Sequence, residues 1–255
     1  MATTIAISGK GGSGKTTLAA VIIRLLLGTR RAILAVDADP NSCLGQTCGV
    51  QPVGTIAEIR EMARRKQPSD AGMDRVRSFE YGIQQAITEA NGFDLLTMGR
   101  PEGPSCYCAI NNMLRNFLDK LSSGYEFIVI DNEAGMEHLS RRTTNNVDLL
   151  CIVAEPTDLG VVTAQRIFEL AKQLPISVKE IGVVWNRAES SKQLDGIDVF
   201  GYVPYDKAVL DASMQGQTIF DIEENSPAFS AVRKILEKKL NLSGFSPNQN
   251  LKLKT

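Results

Sequence analysis

The stretch Gly9-Lys10-Gly11-Gly12-Ser13-Gly14-Lys15-Thr16-Thr17 carries the spacing G-x-x-x-x-G-K-[ST] of a loop that cradles phosphates. A polyphosphate needs several backbone N–H donors converging on one anion, and glycines turn tightly enough to supply them. In such a loop Lys15 neutralises the β- and γ-phosphates and the Thr16 hydroxyl ligates Mg²⁺. The helix that follows offers its positive end to the anion. The residues thus point to a nucleoside triphosphate with Mg²⁺; the alternative is a glycine-rich turn with no ligand.

Further along, three groups of residues could add chemistry. Asp37-Ala38-Asp39-Pro40 follows an apolar run, which puts two carboxylates on the edge where open α/β sheets bind ligands, unless the turn uses Asp and Pro only for their backbone preferences. Phe127-Ile128-Val129-Ile130-Asp131 ends in an acid placed to hold Mg²⁺ through water, and Gly135 lets the next loop approach a γ-phosphate and rearrange when it leaves. Asp131 and Gly135 are therefore candidate switch residues; Asp39 joins them only through family resemblance. Cys106-Tyr107-Cys108 supplies two soft ligands, half of a tetrahedral metal site that two facing copies would complete. Its place just before a helical pattern favours thiolates; a buried structural pair and a redox dithiol are the alternatives. His138, the only histidine, reads as a structural group, with a third metal ligand or a proton-linked contact as the other options. Cys43 and Cys48 read as packing residues.

The elements that must position these residues follow from the apolar pattern. Ile5–Ile7, Ala32–Val36, Phe93–Met98, Phe127–Asp131, Leu149–Ala154, Ile181–Trp185 and Val199–Val203 read as buried strands, and helical patterns lie between several of them. The fold class is α/β: a single-domain, doubly wound, mostly parallel sheet flanked by helices, over residues 1–240, with a polar tail over 241–255 that is expected to fray. The region from Arg64 to Gly82 is rich in turn formers and is expected to be a mobile excursion adding little to the core. A chain of 255 residues suits this plan. A net charge of −1 without a basic run argues against nucleic acid as the main partner, and no apolar run reaches membrane-spanning length. With Met1 to Thr4 leading straight into a strand, the expectation is a cytoplasmic protein, in which five cysteines do not form a disulfide framework.

The loop K-G-G-x-G-K-T resembles that of the deviant phosphate-loop ATPases, the group of the nitrogenase iron protein, MinD and ParA. The resemblance implies an ATP-dependent sandwich homodimer in which Lys10 reaches the nucleotide of the facing subunit. It also implies that Asp39 positions the attacking water and that Asp37 supports Lys15 or the Mg²⁺ shell. Asn186 is implied to hydrogen-bond the adenine, with Arg187 beside it and Pro204, Tyr205 and Asp206 lining the other side. Together with the C-x-C pair and the second switch, Asp131 to Arg141, the resemblance narrows to the CooC-type ATPases. These implies a metallochaperone that binds Ni²⁺ or Zn²⁺ at Cys106 and Cys108 of both subunits and serves carbon monoxide dehydrogenase or acetyl-CoA synthase. Two other readings stay open: an iron–sulfur electron donor like the nitrogenase iron protein, and a MinD- or ParA-like positioning ATPase. The first lacks that family's second cysteine, which would fall near His138; the second lacks a basic amphipathic C-terminal helix and a basic stripe.

Overall fold

The computed structural model describes residues 2–65, 81–100, 121, 123–134, 146–174 and 176–242. Its centre is β1 (Thr3–Gly9), whose Ile5, Ala6 and Ile7 are wholly buried. The strand is apolar on both faces because helices cover both, which is the signature of a parallel sheet. β1 runs into the glycine loop and then α1 (Lys15–Leu27). β2 (Ile33–Ala38), α2 (Cys43–Thr47) and α3 (Ile56–Arg65) follow. Next come β3 (Thr88–Glu89), β4 (Asp94–Thr97), β5 (Phe127–Asn132) and β6 (Asn146–Ala154). The last part comprises α4 (Asp158–Gln173), β7 (Ser177–Asn186), β8 (Asp198–Val203), α5 (Lys207–Met214) and α6 (Pro227–Leu240).

The described strands form one eight-stranded sheet in the order β3-β4-β2-β5-β1-β6-β7-β8. All neighbours pair in parallel except β3 with β4, where a two-residue strand runs antiparallel at the edge. The doubly wound, mostly parallel architecture expected from the apolar runs is the one observed. β1 pairs with β5 on one side and β6 on the other, so the winding reverses beside it. A crevice opens at such a reversal, just beyond the C-terminal ends of the strands, and the glycine loop sits there. One apolar core lies under α1 and α6, where Phe229 is completely buried, and the second lies under α3 and α4 around Trp185.

Several expectations need correction. Residues 81–86 are helical rather than the end of an excursion reaching Gly82, and Ile83 just beyond is fully buried in the second core. The turn formers that suggested an excursion lie at 66–72, outside the described residues. Cys43 is not a packing residue: it starts α2 on the surface, whereas Cys48 is buried as expected. The polar tail does not fray from its first residue, since Asn241 closes α6 in the left-handed conformation and Leu242 packs against the first core. Among the described residues no helix is long and apolar enough to cross a membrane.

Candidate nucleotide site

Two glycines of the loop, Gly9 and Gly14, are required by close approach. A Cβ on Gly9 would lie 2.3 Å from the Val153 carbonyl oxygen of β6, and one on Gly14 would lie 2.3 Å from Asn186 Nδ2 of β7. Gly14 also has φ +94° and Gly12 φ +80°, a region that side chains strain. Gly14 occupies the N-cap of α1 without any side-chain cap, so the first N–H groups of that helix have no capping side chain at Gly14 and can serve an anion. Lys15, with 7% exposure, reaches across the loop to the Lys10 carbonyl at 3.3 Å. The Ser13 N–H donates to the same carbonyl at 3.2 Å, which closes the turn. The backbone of Lys10 thus shapes the loop while Lys10 itself is exposed.

Beside the loop, the parallel register of β2 and β5 sets Asp37 directly opposite Asp131. Both are buried, at 0% and 1% exposure. Burial raises the Asp37 carboxyl to about 7; N–H bonds from Leu44 and Asp39 oppose the shift, and the neighbouring Asp131 adds to it. Those bonds measure 2.9 Å from Leu44 and 3.2 Å from Asp39, one on each oxygen, so Asp37 braces the loop that carries Asp39. Asp39 is half-buried and its Oδ1 accepts the Asn41 N–H at 2.8 Å, an Asx-type turn that fixes the carboxylate at the sheet edge.

Asp131 differs. Burial raises it to about 6, while the Thr16 hydroxyl and the Lys15 ammonium nearby favour its charge. Neither of its buried oxygens completes a hydrogen bond. A buried carboxylate left in this way costs free energy unless something else meets it. Hydrated Mg²⁺ fits that place: Thr16 supplies a hydroxyl and Asp131 supplies two unclaimed oxygens, with Asp37 one strand away. Ser13 Oγ and Asn132 Oδ1 are likewise buried without a partner, Ser13 in the loop and Asn132 next to Asp131 on β5.

The residues expected around a base come together on the far side of the loop. Asn186, Arg187, Pro204, Tyr205 and Asp206, with Gly14 and Thr17 from the loop and α1, line a cavity of about 170 Å³. Its floor is apolar and includes Leu18, Val21 and Val232. Tyr205 is exposed at the rim. Asp206 has a second commitment that spacing did not reveal. Its Oδ1 accepts the Ala208 N–H and its Oδ2 the Ala228 N–H, each at 2.9 Å, so one buried side chain caps α5 and pins the start of α6. Glu155 was not foreseen as part of the site; its Oε1 meets Arg187 Nη1 at 2.5 Å, and the same nitrogen lies 3.3 Å from the Gly12 carbonyl. Cys106, Cys108, Gly135 and His138 lie outside the described residues.

Residues 4–219 match the CobQ/CobB/MinD/ParA nucleotide binding domain. An uncharacterized ATP-binding protein of Methanocaldococcus jannaschii is 40% identical over 93% of this chain and 98% of its own length. The carbon monoxide dehydrogenase accessory protein CooC of Rhodospirillum rubrum is 30% identical, over 88% of this chain and 90% of its own. The iron-sulfur ATP-binding protein of light-independent protochlorophyllide reductase from Heliobacterium modesticaldum is 27% identical over 86% and 78% respectively. Among solved structures, the cell division ATPase MinD of Pyrococcus furiosus superposes with a TM-score of 0.66 at 21% identity, covering 95% of this chain and all 100% of its own. A ParA family ATPase from Chlorobium tepidum does so with a TM-score of 0.68 at 19% identity and the same coverage. These two likenesses concern the fold.

Proposed function

Because the chain belongs to the CobQ/CobB/MinD/ParA nucleotide-binding family and is an ATPase of the MinD/ParA type, we propose that it couples ATP hydrolysis to the handling of a metal cargo. ATP and Mg²⁺ occupy the loop Gly9–Thr17. Lys15 binds the β- and γ-phosphates, and Thr16 with Asp131 holds the Mg²⁺, which when bound draws charge from the phosphates as the terminal group departs. Asp39 orients the attacking water from its turn. The base enters the cavity between Asn186 and the Pro204–Asp206 turn. Lys10, exposed at the loop's outer side, reaches the nucleotide of a second copy, and the hydrolytic centre is complete only in that homodimer.

The cargo reading rests on one observation: the similarity to CooC over nearly the whole of both chains, in a sequence that contains Cys106-Tyr107-Cys108. In the dimer the two C-x-C pairs supply four thiolates, a set that suits Ni²⁺ or Zn²⁺ as cargo. The client is an enzyme of the carbon monoxide dehydrogenase or acetyl-CoA synthase class. Nickel titration of wild-type protein and of Cys106→Ala and Cys108→Ala tests this: wild type binds one ion per dimer and both variants lose it. Unchanged stoichiometry in the variants removes the metal role.

A second reading has its own support in the similarity to the iron-sulfur ATP-binding protein of Heliobacterium modesticaldum. Four thiolates also hold an iron–sulfur cluster. Visible absorbance of anaerobically purified protein separates the two: a colourless protein that takes up nickel fits the first, a brown protein fits the second.

A further inference from the structure

We infer that Asn186 is a positioning residue for the phosphate loop, acting on the triphosphate through the backbone in addition to any contact with the base. Asn186 Nδ2 donates to the Ser13 carbonyl at 2.8 Å, a bond between residues 173 apart in the chain. The orientation of the amide follows from chemistry: a carbonyl oxygen only accepts, so the half of the amide that faces it must be the NH₂. Asn186 therefore turns its nitrogen toward the loop and keeps its oxygen and the second N–H for other partners.

The consequence for the loop comes from the peptide plane. In a planar trans peptide the C=O and the following N–H point in opposite directions. Anchoring the Ser13 carbonyl on Asn186 therefore turns the Gly14 N–H away from Asn186. This N–H stands at the N-cap of α1, among the donors that a phosphate loop offers an anion. Gly14 sits so close to the amide that any Cβ there would overlap Nδ2, so the loop and the end of β7 are built for this contact. The next residue reinforces it. Arg187 Nη1 lies 3.3 Å from the Gly12 carbonyl, and Glu155 Oε1 holds the same guanidinium at 2.5 Å. Asn186 and Arg187, adjacent at the end of β7, thus grip adjacent carbonyls of the loop.

A residue that reads only the base and one that sets the loop differ in their effect on a ligand with no base. Mg²⁺-tripolyphosphate is such a ligand, and calorimetric titration of wild type, Asn186→Asp and Asn186→Ala is the test. The Asp variant keeps an oxygen for the base but places a second oxygen against the Ser13 carbonyl; the Ala variant removes the donor without adding charge. Both variants should lose about tenfold in tripolyphosphate affinity, the usual scale for one lost hydrogen bond that leaves a partly buried carbonyl unpaired. Their ATP affinity should fall at least as far, the Ala variant further than the Asp variant because it also loses the oxygen that faces the base cavity. Unchanged tripolyphosphate affinity with weakened ATP binding overturns the inference and leaves Asn186 as a base contact alone. In wild-type protein, which requires no substitution to fold, the Asn186 side-chain amide should be protected from proton exchange before any ligand is added; exchange at the rate of a free amide also overturns the inference. The inference presupposes a polyphosphate in the loop, and wild-type binding of Mg²⁺-ATP checks that separately, since its loss would fail the proposed function and not the role of Asn186.

Discussion

Asp131 and Asp206 are both buried carboxylates at the same end of the sheet, one in β5 just before its last residue Asn132 and the other following β8, yet they are treated in opposite ways. Asp206 receives two backbone N–H groups at 2.9 Å and joins α5 to α6. Asp131 receives none, although it is the more deeply buried, at 1% exposure against 8%. Folding alone favours the first arrangement, because buried polar groups are costly until they are paired. The second makes sense where a ligand completes the pairing, and Asp131 lies beside Thr16 and Lys15, where the proposed function puts a nucleotide's Mg²⁺. The satisfied acid holds architecture together, and the unsatisfied one is where the proposed function puts the reaction centre.

Four substitutions would break or sharpen that contrast. The largest effect is expected at the loop. Lys15→Ala should lower ATP turnover by about 10²–10³-fold, the scale of removing one charge-stabilising donor, with little change in the unfolding midpoint. Asp131→Asn should also suppress Mg²⁺-dependent turnover, yet leave the nucleotide-free protein close to wild type in stability, since it removes a deeply buried carboxyl whose oxygens complete no hydrogen bond. Asp206→Asn should do the reverse. An amide cannot accept both N–H groups as a carboxylate does, so urea denaturation should show a loss of about 1–3 kcal/mol while turnover per folded molecule largely survives. Equal stability losses at the two aspartates would erase the distinction. The smallest effect is expected at Thr157, whose side chain caps α4 through the Gly160 N–H at 3.0 Å; Thr157→Ala should cost about 1 kcal/mol.

Acidity provides an independent reading of the same contrast. The folded state raises Asp37 to about 7 and Asp131 to about 6, chiefly through burial, so it binds protons more tightly than the unfolded chain does. Stability from these groups is then fully present below the ordinary carboxylate range and is lost as pH rises through about 6 and about 7. Nucleotide-free protein should lose stability across that window in denaturant titrations. Asp37→Asn and Asp131→Asn should each flatten the slope, and Mg²⁺-ATP should reduce it by favouring the charged carboxylate. A slope unchanged in both variants would place its origin elsewhere.

The parts of the molecule that were legible in the sequence are those whose chemistry is local. Gly9 to Thr17 announce themselves because tight turning and phosphate binding act on neighbouring residues, and the buried parallel strands appear as continuous apolar runs. Asp37 and Asp131 were found for a similar reason, each ending such a run. What escaped depends on partners distant in the chain. The Asn186 to Ser13 bond and the two caps made by Asp206 leave no spacing signature. The Arg187 to Glu155 pair is equally silent, although the positive φ of 54° at Arg187 is a backbone sign that only the structure reveals. Helix α5 was missed because it buries only Ala212 and so lacks an apolar stripe. Cys43 was misplaced because cysteine is so often interior, yet here the Ser42 turn starts α2 with that side chain outward.

Hydrolysis is proposed to depend on the pairing of two copies. Analytical ultracentrifugation with Mg²⁺-ATP, run beside turnover measurements over the same protein concentrations, tests it. Wild type should shift from monomer to dimer, with turnover rising in step with the dimer fraction, and Lys10→Ala should bind ATP yet fail to hydrolyse it. A monomer that hydrolyses ATP at the full wild-type rate, with or without Lys10, would contradict it.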